Sequence, residues 1–223
     1  MNYGILGSGI VGQSIGAALA AQGHSVVLGT GDPARLDDSK GYAGTLREWL
    51  AGAGPNARVG AFAEAAAHGE VLVNATAGLA SVDVLRGVET HLDGKTLIDI
   101  SNPLDFSGGM PPAVRTYEGG ASLAEEIQAT FPGLRVVKTL NTLTASLMVN
   151  PRQLADGDHS VFLGGNDAVA KAQATEMLRG FGWTDIIDLG DLSAARGLEL
   201  WLPLWLRLFG VLGAPMFNLK IVR

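Results

Sequence analysis

The run Gly7-Ser8-Gly9-Ile10-Val11-Gly12 constrains this chain more than any other feature. It follows a short apolar run, Asn2 to Leu6, and opens an Ala-rich segment, Ile10 to Ala21, with apolar residues at helical spacing. Gly23 stops that segment, and Ser25 to Leu28 is the next apolar run. Three glycines at this spacing, between a strand and a helix of a β–α–β unit, form the turn that receives a dinucleotide pyrophosphate. Gly7 makes the tight turn, Gly9 lets the backbone approach the phosphates, and Gly12 lets the helix pack close to the sheet. Gly16, one helical turn further along that face, extends the packing. A helix N-terminus offers free N–H groups and the positive end of its dipole to an anion, so Ser8, Ile10 and Val11 join the glycines as cofactor-binding candidates.

The alternation continues. Val71 to Asn74 and Thr96 to Ile100 read as strands, and Thr45 to Ala51, Ala61 to Ala67 and Ser81 to Val88 read as helices. Ser107 to Gly120 contains Gly-Gly-Met-Pro-Pro and reads as a loop. Ser122-Leu123-Ala124-Glu125 fits a capping box, opening a helix that Pro132-Gly133 ends. Leu134 to Leu140, Ser160 to Leu163 and Asp185 to Leu189 are strand-like. Asn166 can cap a helix running to about Arg179, and Asp191 can cap a long terminal helix. The expected fold is α/β: a Rossmann-type doubly wound parallel sheet over residues 1–150, then a small C-terminal α/β domain over 151–223 ending in a long apolar helix. The Asn150-Pro151 turn marks the soft boundary.

Composition narrows the chemistry. None of the 223 residues is Cys, which excludes a disulfide scaffold, thiol catalysis, an iron–sulfur cluster and a cysteine zinc site. The four His, at 24, 68, 91 and 159, make no H-x-x-x-H pair, so no metal site is expected. A net charge of -6 argues against a nucleic-acid partner. Glycine reaches 31 residues, roughly twice its usual share, and 13 of them lie in the first sixty residues, around the proposed nucleotide site. The most apolar segment, Leu198 to Val222, is interrupted by Glu199, Pro203 and Arg207. Its uncharged run, Leu208 to Leu219, falls short of the roughly 20 apolar residues of a spanning helix. No membrane span is expected, no signal peptide is visible at the N-terminus, and a cytoplasmic protein follows. Within that segment Trp201, Trp205, Leu208, Phe209 and Leu212 form an apolar stripe. It suits a core or homodimer contact, or one wall of a pocket for a flat ring.

Sites selective for NAD carry an acid about 20 residues past the glycine turn, where it bonds the ribose 2′-OH. Here that place reads Leu28-Gly29-Thr30-Gly31. Thr30 can donate to a 2′-phosphate, and Arg35 lies a few residues on, so NADP(H) is favoured over NAD(H). Asp32, in Gly-Asp-Pro, could instead take the ribose 2′-OH, but reads more readily as a turn residue. Ligands of open α/β sheets bind at the carboxyl ends of strands, which adds Ala75, Thr76, Ser101, Asn102, Pro103 and Asn141. Asn141 can bond the nicotinamide carboxamide with its own amide. Lys138, three residues earlier in an apolar strand, either pairs with a buried carboxylate or reaches into the cleft.

With these residues the chain resembles the family of NADP-dependent reductases of the deazaflavin coenzyme F420, whose nucleotide fold also occurs in the cytoplasmic domain of membrane ferric reductases. The resemblance rests on residues 7 to 12 and on Gly23-His24-Ser25-Val26-Val27-Leu28-Gly29-Thr30. It continues through Ser101-Asn102-Pro103-Leu104, Leu123-Ala124-Glu125-Glu126-Ile127-Gln128 and Val136-Val137-Lys138-Thr139-Leu140-Asn141-Thr142. Gly164-Gly165-Asn166-Asp167 and Asp188-Leu189-Gly190-Asp191-Leu192-Ser193-Ala194-Ala195-Arg196 complete it. It implies a hydride-transferring oxidoreductase with a small-molecule redox acceptor, a flavin or deazaflavin, in the cleft between the two domains. The family turn carries Ser/Thr, then Arg, then a further basic residue for the 2′-phosphate. Thr30 matches the first, Arg35 the last, and Gly31 replaces the Arg. Hydride transfer between two such rings needs no protein acid/base or nucleophile, so no catalytic residue is expected. Two alternatives stand beside this reading. One is a β-hydroxyacid-type dehydrogenase using Lys138 as general acid/base, and the other is a non-catalytic protein that responds to NADP(H).

Overall fold

Apolar runs without alternation demand burial on both faces of a sheet. The computed structural model, which describes residues 1–38 and 43–223, supplies it. The strands are β1 (Asn2–Leu6), β2 (Ser25–Thr30), β3 (Ala57–Ala61), β4 (Val71–Asn74), β5 (Thr96–Asp99), β6 (Leu104–Asp105), β7 (Ala113–Val114), β8 (Arg135–Thr139), β9 (Ser160–Gly165) and β10 (Asp185–Asp188). The helices are α1 (Ile10–Ala21), α2 (Leu46–Ala53), α3 (Phe62–His68), α4 (Ser81–Arg86), α5 (Leu123–Thr130), α6 (Ala145–Val149), α7 (Ala168–Gly180), α8 (Ala195–Leu200) and α9 (Leu202–Leu212). Eight strands form one sheet in the order β10-β9-β8-β5-β4-β1-β2-β3, and β6 pairs with β7 in a separate small hairpin.

From β3 to β8 all pairings are parallel, and the order is that of a doubly wound nucleotide-binding sheet. Two cores flank it. On one face Ile15, Leu19, Trp49, Leu147 and Met177 pack against Ile5, Leu28 and Val137. On the other Ala65, Leu85, Leu123, Ile127 and Ala195 pack against Leu6, Leu72 and Val136. The result is a helix–sheet–helix sandwich, and β1 and β4 are neighbours at the point where the winding reverses.

Several details depart from the sequence expectation. β3 is an edge strand where the sequence shows no apolar run; it is recruited by pairing with β2. β9 runs antiparallel to β8, so the sheet is not wholly parallel. Residues 151–223 contribute β9 and β10 to the same sheet as residues 1–150. Asp167, not Asn166, caps α7, accepting from the Ala170 N–H at 2.8 Å. Asn166 instead accepts from the Leu192 N–H at 3.0 Å. The stretch Ser107 to Gly120, read as loop, contributes β7 to the hairpin. The terminal helix is in pieces: a short turn at Leu192–Ala194, then α8, then α9. Pro203 sits in the first turn of α9, where its missing N–H costs nothing. Among the described residues no helix is long and apolar enough to cross a membrane.

Candidate functional site

The glycine turn is closed where it must be and open where it can be useful. Gly7 has φ 122, and a Cβ there would lie 2.3 Å from the Ala75 carbonyl oxygen. A Cβ on Gly12 would lie 2.0 Å from the Gly7 carbonyl oxygen, which is why the helix can press onto the turn. Gly16 makes room for the Trp49 ring, at 2.9 Å from its ideal Cβ. Gly9 differs: its Cβ would meet nothing within 4 Å. Gly9 is also the N-cap of α1 and supplies no side-chain cap. The first intrahelical bond runs from the Gln13 N–H to the Gly9 carbonyl at 2.9 Å. The N–H groups of Ile10, Val11 and Gly12 precede that bond and are left for an anion.

Ser8 ties this turn to the end of β2. Its hydroxyl donates to Thr30 Oγ1 at 3.1 Å, and its carbonyl accepts from Gln13 Nε2 at 3.0 Å. Thr30 is buried beneath the turn. At Gly31 the nearest atom to an ideal Cβ is the Phe62 ring, 4.0 Å away, so the position beyond Thr30 is roomy. Arg35 is exposed and pairs with Asp38 at 2.5 Å. Asp32 behaves as a turn residue, its Oδ1 accepting from the Ala34 N–H at 3.0 Å.

A cleft of about 210 Å³ opens at the carboxyl ends of β4 and β5, lined by Val11, Ala75, Thr76, Ser101, Asn102 and Phe106 among others. Pro103, between the lining residues Asn102 and Leu104, is buried. Gly78, which the sequence reading did not single out, lets the two loops meet. A Cβ there would lie 2.1 Å from the Asn102 carbonyl oxygen. Asn141 joins from the end of β8, where Leu140 adopts the left-handed conformation (φ 60) that non-glycine residues rarely take. The Asn141 Nδ2 donates to Asn102 Oδ1 at 2.9 Å and to the Leu198 carbonyl at 3.0 Å, while Asn102 Nδ2 donates to the Asn141 carbonyl at 2.8 Å. Both N–H groups of the Asn141 amide are therefore engaged, and its buried Oδ1 is the atom without a partner among the described residues. A second, apolar concavity of about 180 Å³ is lined by Thr142, Phe162, Leu189, Gly197, Leu198 and Trp201. Asn141 bridges the two, bonding Asn102 of one and Leu198 of the other.

Beneath the cleft lies a buried ion cluster. Lys138 Nζ is 2.8 Å from Asp99 Oδ2 and 2.9 Å from Glu199 Oε1, and all three side chains are 0–2% exposed. The third ammonium proton goes to the Ser101 carbonyl at 2.5 Å. Glu199 also receives the Leu123 N–H at 2.8 Å and the Ala124 N–H at 3.3 Å, at the start of α5, where the helix dipole favours a carboxylate. Burial pulls the Lys138 ammonium down, but the Asp99 and Glu199 charges outweigh it and hold the group above its ordinary value. Lys138 lies on strand β8, out of contact with solvent, and is not among the residues that line the cleft.

A family model described as NADP oxidoreductase, coenzyme F420-dependent, matches residues 2–103. A crystal structure from Arthrobacter sp. FB24, named provisionally as an F420-dependent NADP-reductase, is 49% identical, covers 100% of both chains and superposes with a TM-score of 0.93. The chain belongs to the F420-dependent NADP oxidoreductase family. The F420-dependent NADP reductase of Methanothermobacter marburgensis is a more distant member, 28% identical over 91% of this chain and 89% of its own. Metalloreductase STEAP3 of Rattus norvegicus is 30% identical over 88% of this chain. This family chain spans only 35% of that metalloreductase's length.

Proposed function

We propose that this chain is an NADP(H)-dependent oxidoreductase that passes hydride between a nicotinamide and a flavin-like or deazaflavin ring. The observation that carries the reading is the open space above Gly9 at a helix start without a side-chain cap, with Val11 of the same helix start lining the cleft at the ends of β4 and β5. The residues present fit such a cofactor. Ser8, Gly9, Ile10, Val11 and Gly12 would hold the pyrophosphate, with Gly7 shaping the turn. Thr30 and Arg35, with the space at Gly31, would receive the 2′-phosphate. Ala75, Thr76, Ser101, Asn102 and Pro103 would wall the nicotinamide, and the free Asn141 Oδ1 is an acceptor suited to a carboxamide N–H. Once bound, the nicotinamide supplies or takes the hydride, and the protein contributes position and exclusion of water. We assign no catalytic acid, base or nucleophile. The second concavity, beside Trp201, would take the acceptor ring.

Stopped-flow mixing of the protein with NADPH and, in turn, F420, FMN, FAD and a ferric chelate tests the reading. Oxidation of NADPH by one of the rings is expected. Binding of NADPH with no oxidation by any acceptor would leave only a nucleotide-responsive binding protein. Arg35→Ala should lose NADPH affinity and keep NADH affinity; equal losses would remove the 2′-phosphate assignment.

A further inference from the structure

Lys138, Asp99 and Glu199 are buried and charged, and the hydride chemistry does not use them. Their contacts nonetheless converge on one residue of the cleft wall. The Ser101 carbonyl accepts from Lys138 Nζ at 2.5 Å. The Ser101 N–H donates to Asp99 Oδ1 at 3.2 Å, and its hydroxyl donates to the same oxygen at 2.6 Å. Carbonyl, N–H and hydroxyl of Ser101 are thus all held by the cluster. The facing wall is held too. Asn74 Nδ2 donates to Asp99 Oδ1 at 2.8 Å, and Asn74 Oδ1 accepts from the Thr76 hydroxyl at 2.7 Å.

Glu199 brings a distant element into this arrangement. It lies on α8, whose Gly197 and Leu198 line the apolar concavity. Its two oxygens clamp α8 to the start of α5 through the Leu123 and Ala124 N–H groups, and to Lys138 through the ion pair. Lys138 has three protons and three partners, so removing the Glu199 charge redistributes the ammonium toward Asp99 and changes its hold on the Ser101 carbonyl. A second link runs in parallel, from the Leu198 carbonyl through Asn141 to Asn102.

We propose that Glu199 is a positioning residue for the nicotinamide pocket: through Lys138 it fixes the Ser101 carbonyl, and so couples helix α8 on the acceptor side to the cleft wall on the nucleotide side. This rests on the reading that the cleft takes the nicotinamide.

The test separates the two halves of the nucleotide. Calorimetry measures affinity for NADPH and for 2′,5′-ADP, which lacks the nicotinamide, in wild type and Glu199→Gln; single-turnover mixing measures hydride transfer. The variant is expected to keep 2′,5′-ADP affinity, to weaken NADPH, and to slow hydride transfer roughly 10- to 100-fold, the scale of a misplaced reactive centre. Glu199→Asp keeps the charge with a shorter reach and carries the same expectation if the amide variant fails to fold. Equal loss of both ligands, or none with an unchanged rate, would overturn the inference, because Glu199 would then be merely structural. A wild type that binds NADPH no more tightly than 2′,5′-ADP would instead defeat the underlying reading of the cleft.

Discussion

Gly9 and Gly12 belong to one motif, yet the structure separates their roles. The ideal Cβ of Gly9 meets nothing within 4 Å, whereas that of Gly12 would sit 2.0 Å from a carbonyl oxygen. Gly9→Ala should therefore fold with a stability loss within roughly 1 kcal/mol, the scale of an N-cap change, and lose nucleotide affinity. Gly12→Ala should cost about 1–3 kcal/mol or more through overpacking against the turn. Urea unfolding and NADPH titration of the two variants check this. Retained affinity in Gly9→Ala would mean that the phosphates do not lie above Gly9. These roles are legible in the sequence because the constraint on each glycine is local. The partners of Lys138 are not, because Asp99 stands 39 residues away and Glu199 arrives on a different helix. A lysine in an apolar strand announces that a carboxylate is needed and says nothing of which one. Gly78 left no signal, since only the approach of the Asn102 loop gives it a reason.

At the scale of elements, α5 shows a sequence signal kept in full. Ser122 Oγ accepts from the Glu125 N–H at 3.2 Å, and Glu125 Oε2 accepts from the Ser122 N–H at 2.8 Å, the reciprocal bonds of a capping box. Arg196, from α8, adds a fork onto Glu125 at 2.8 and 2.9 Å. Burial pushes the Glu125 carboxyl up, but the Arg196 and Ser122 bonds outweigh it and hold it below its ordinary value. A carboxyl depressed in the folded state contributes stability above the unfolded value of 4.5, and that contribution is lost as pH falls through the folded value. Glu125→Gln should therefore be less stable than wild type at about pH 7, with the difference shrinking as pH falls below the unfolded value of 4.5, read by urea unfolding across that range. Ser122→Ala should cost about 1 kcal/mol. Strand directions were less legible than caps. Ser160 to Gly165 has the composition of a strand whichever way it runs, and its antiparallel pairing with β8 is set by the path of the chain through α6. β3 has only Gly60 fully buried, so no apolar pattern marks it.

For the whole molecule, the doubly wound α/β architecture follows from alternation and one glycine turn, and that much is legible in the sequence; the antiparallel β9 and the joining of β9 and β10 to the same sheet are not. What alternation does not specify is the surface beyond the sheet. The stripe on the terminal helix is divided: Leu202 is buried and Trp201 lines the apolar concavity, but Leu204, Phe209, Val211 and Leu212 are 48%, 41%, 84% and 57% exposed. Trp205 stacks on Phe209 at 5.6 Å between ring centroids and meets Phe217 at a tilt at 5.2 Å, and its buried indole N–H has no partner among the described residues. Apolar side chains exposed together on one short helix suit an interface, because their exposure to water is costly and their burial against a like surface is not. We therefore expect two copies to associate through α9 and the tail that follows it. Sedimentation velocity should show a dimer for wild type and a monomer for Val211→Asp, which places a charge at the most exposed of these helix positions. Val211 lies outside both concavities, so the variant should keep its NADPH affinity while losing its partner. A wild type that sediments as a monomer at every concentration would remove the dimer and return the stripe to a role on the single chain.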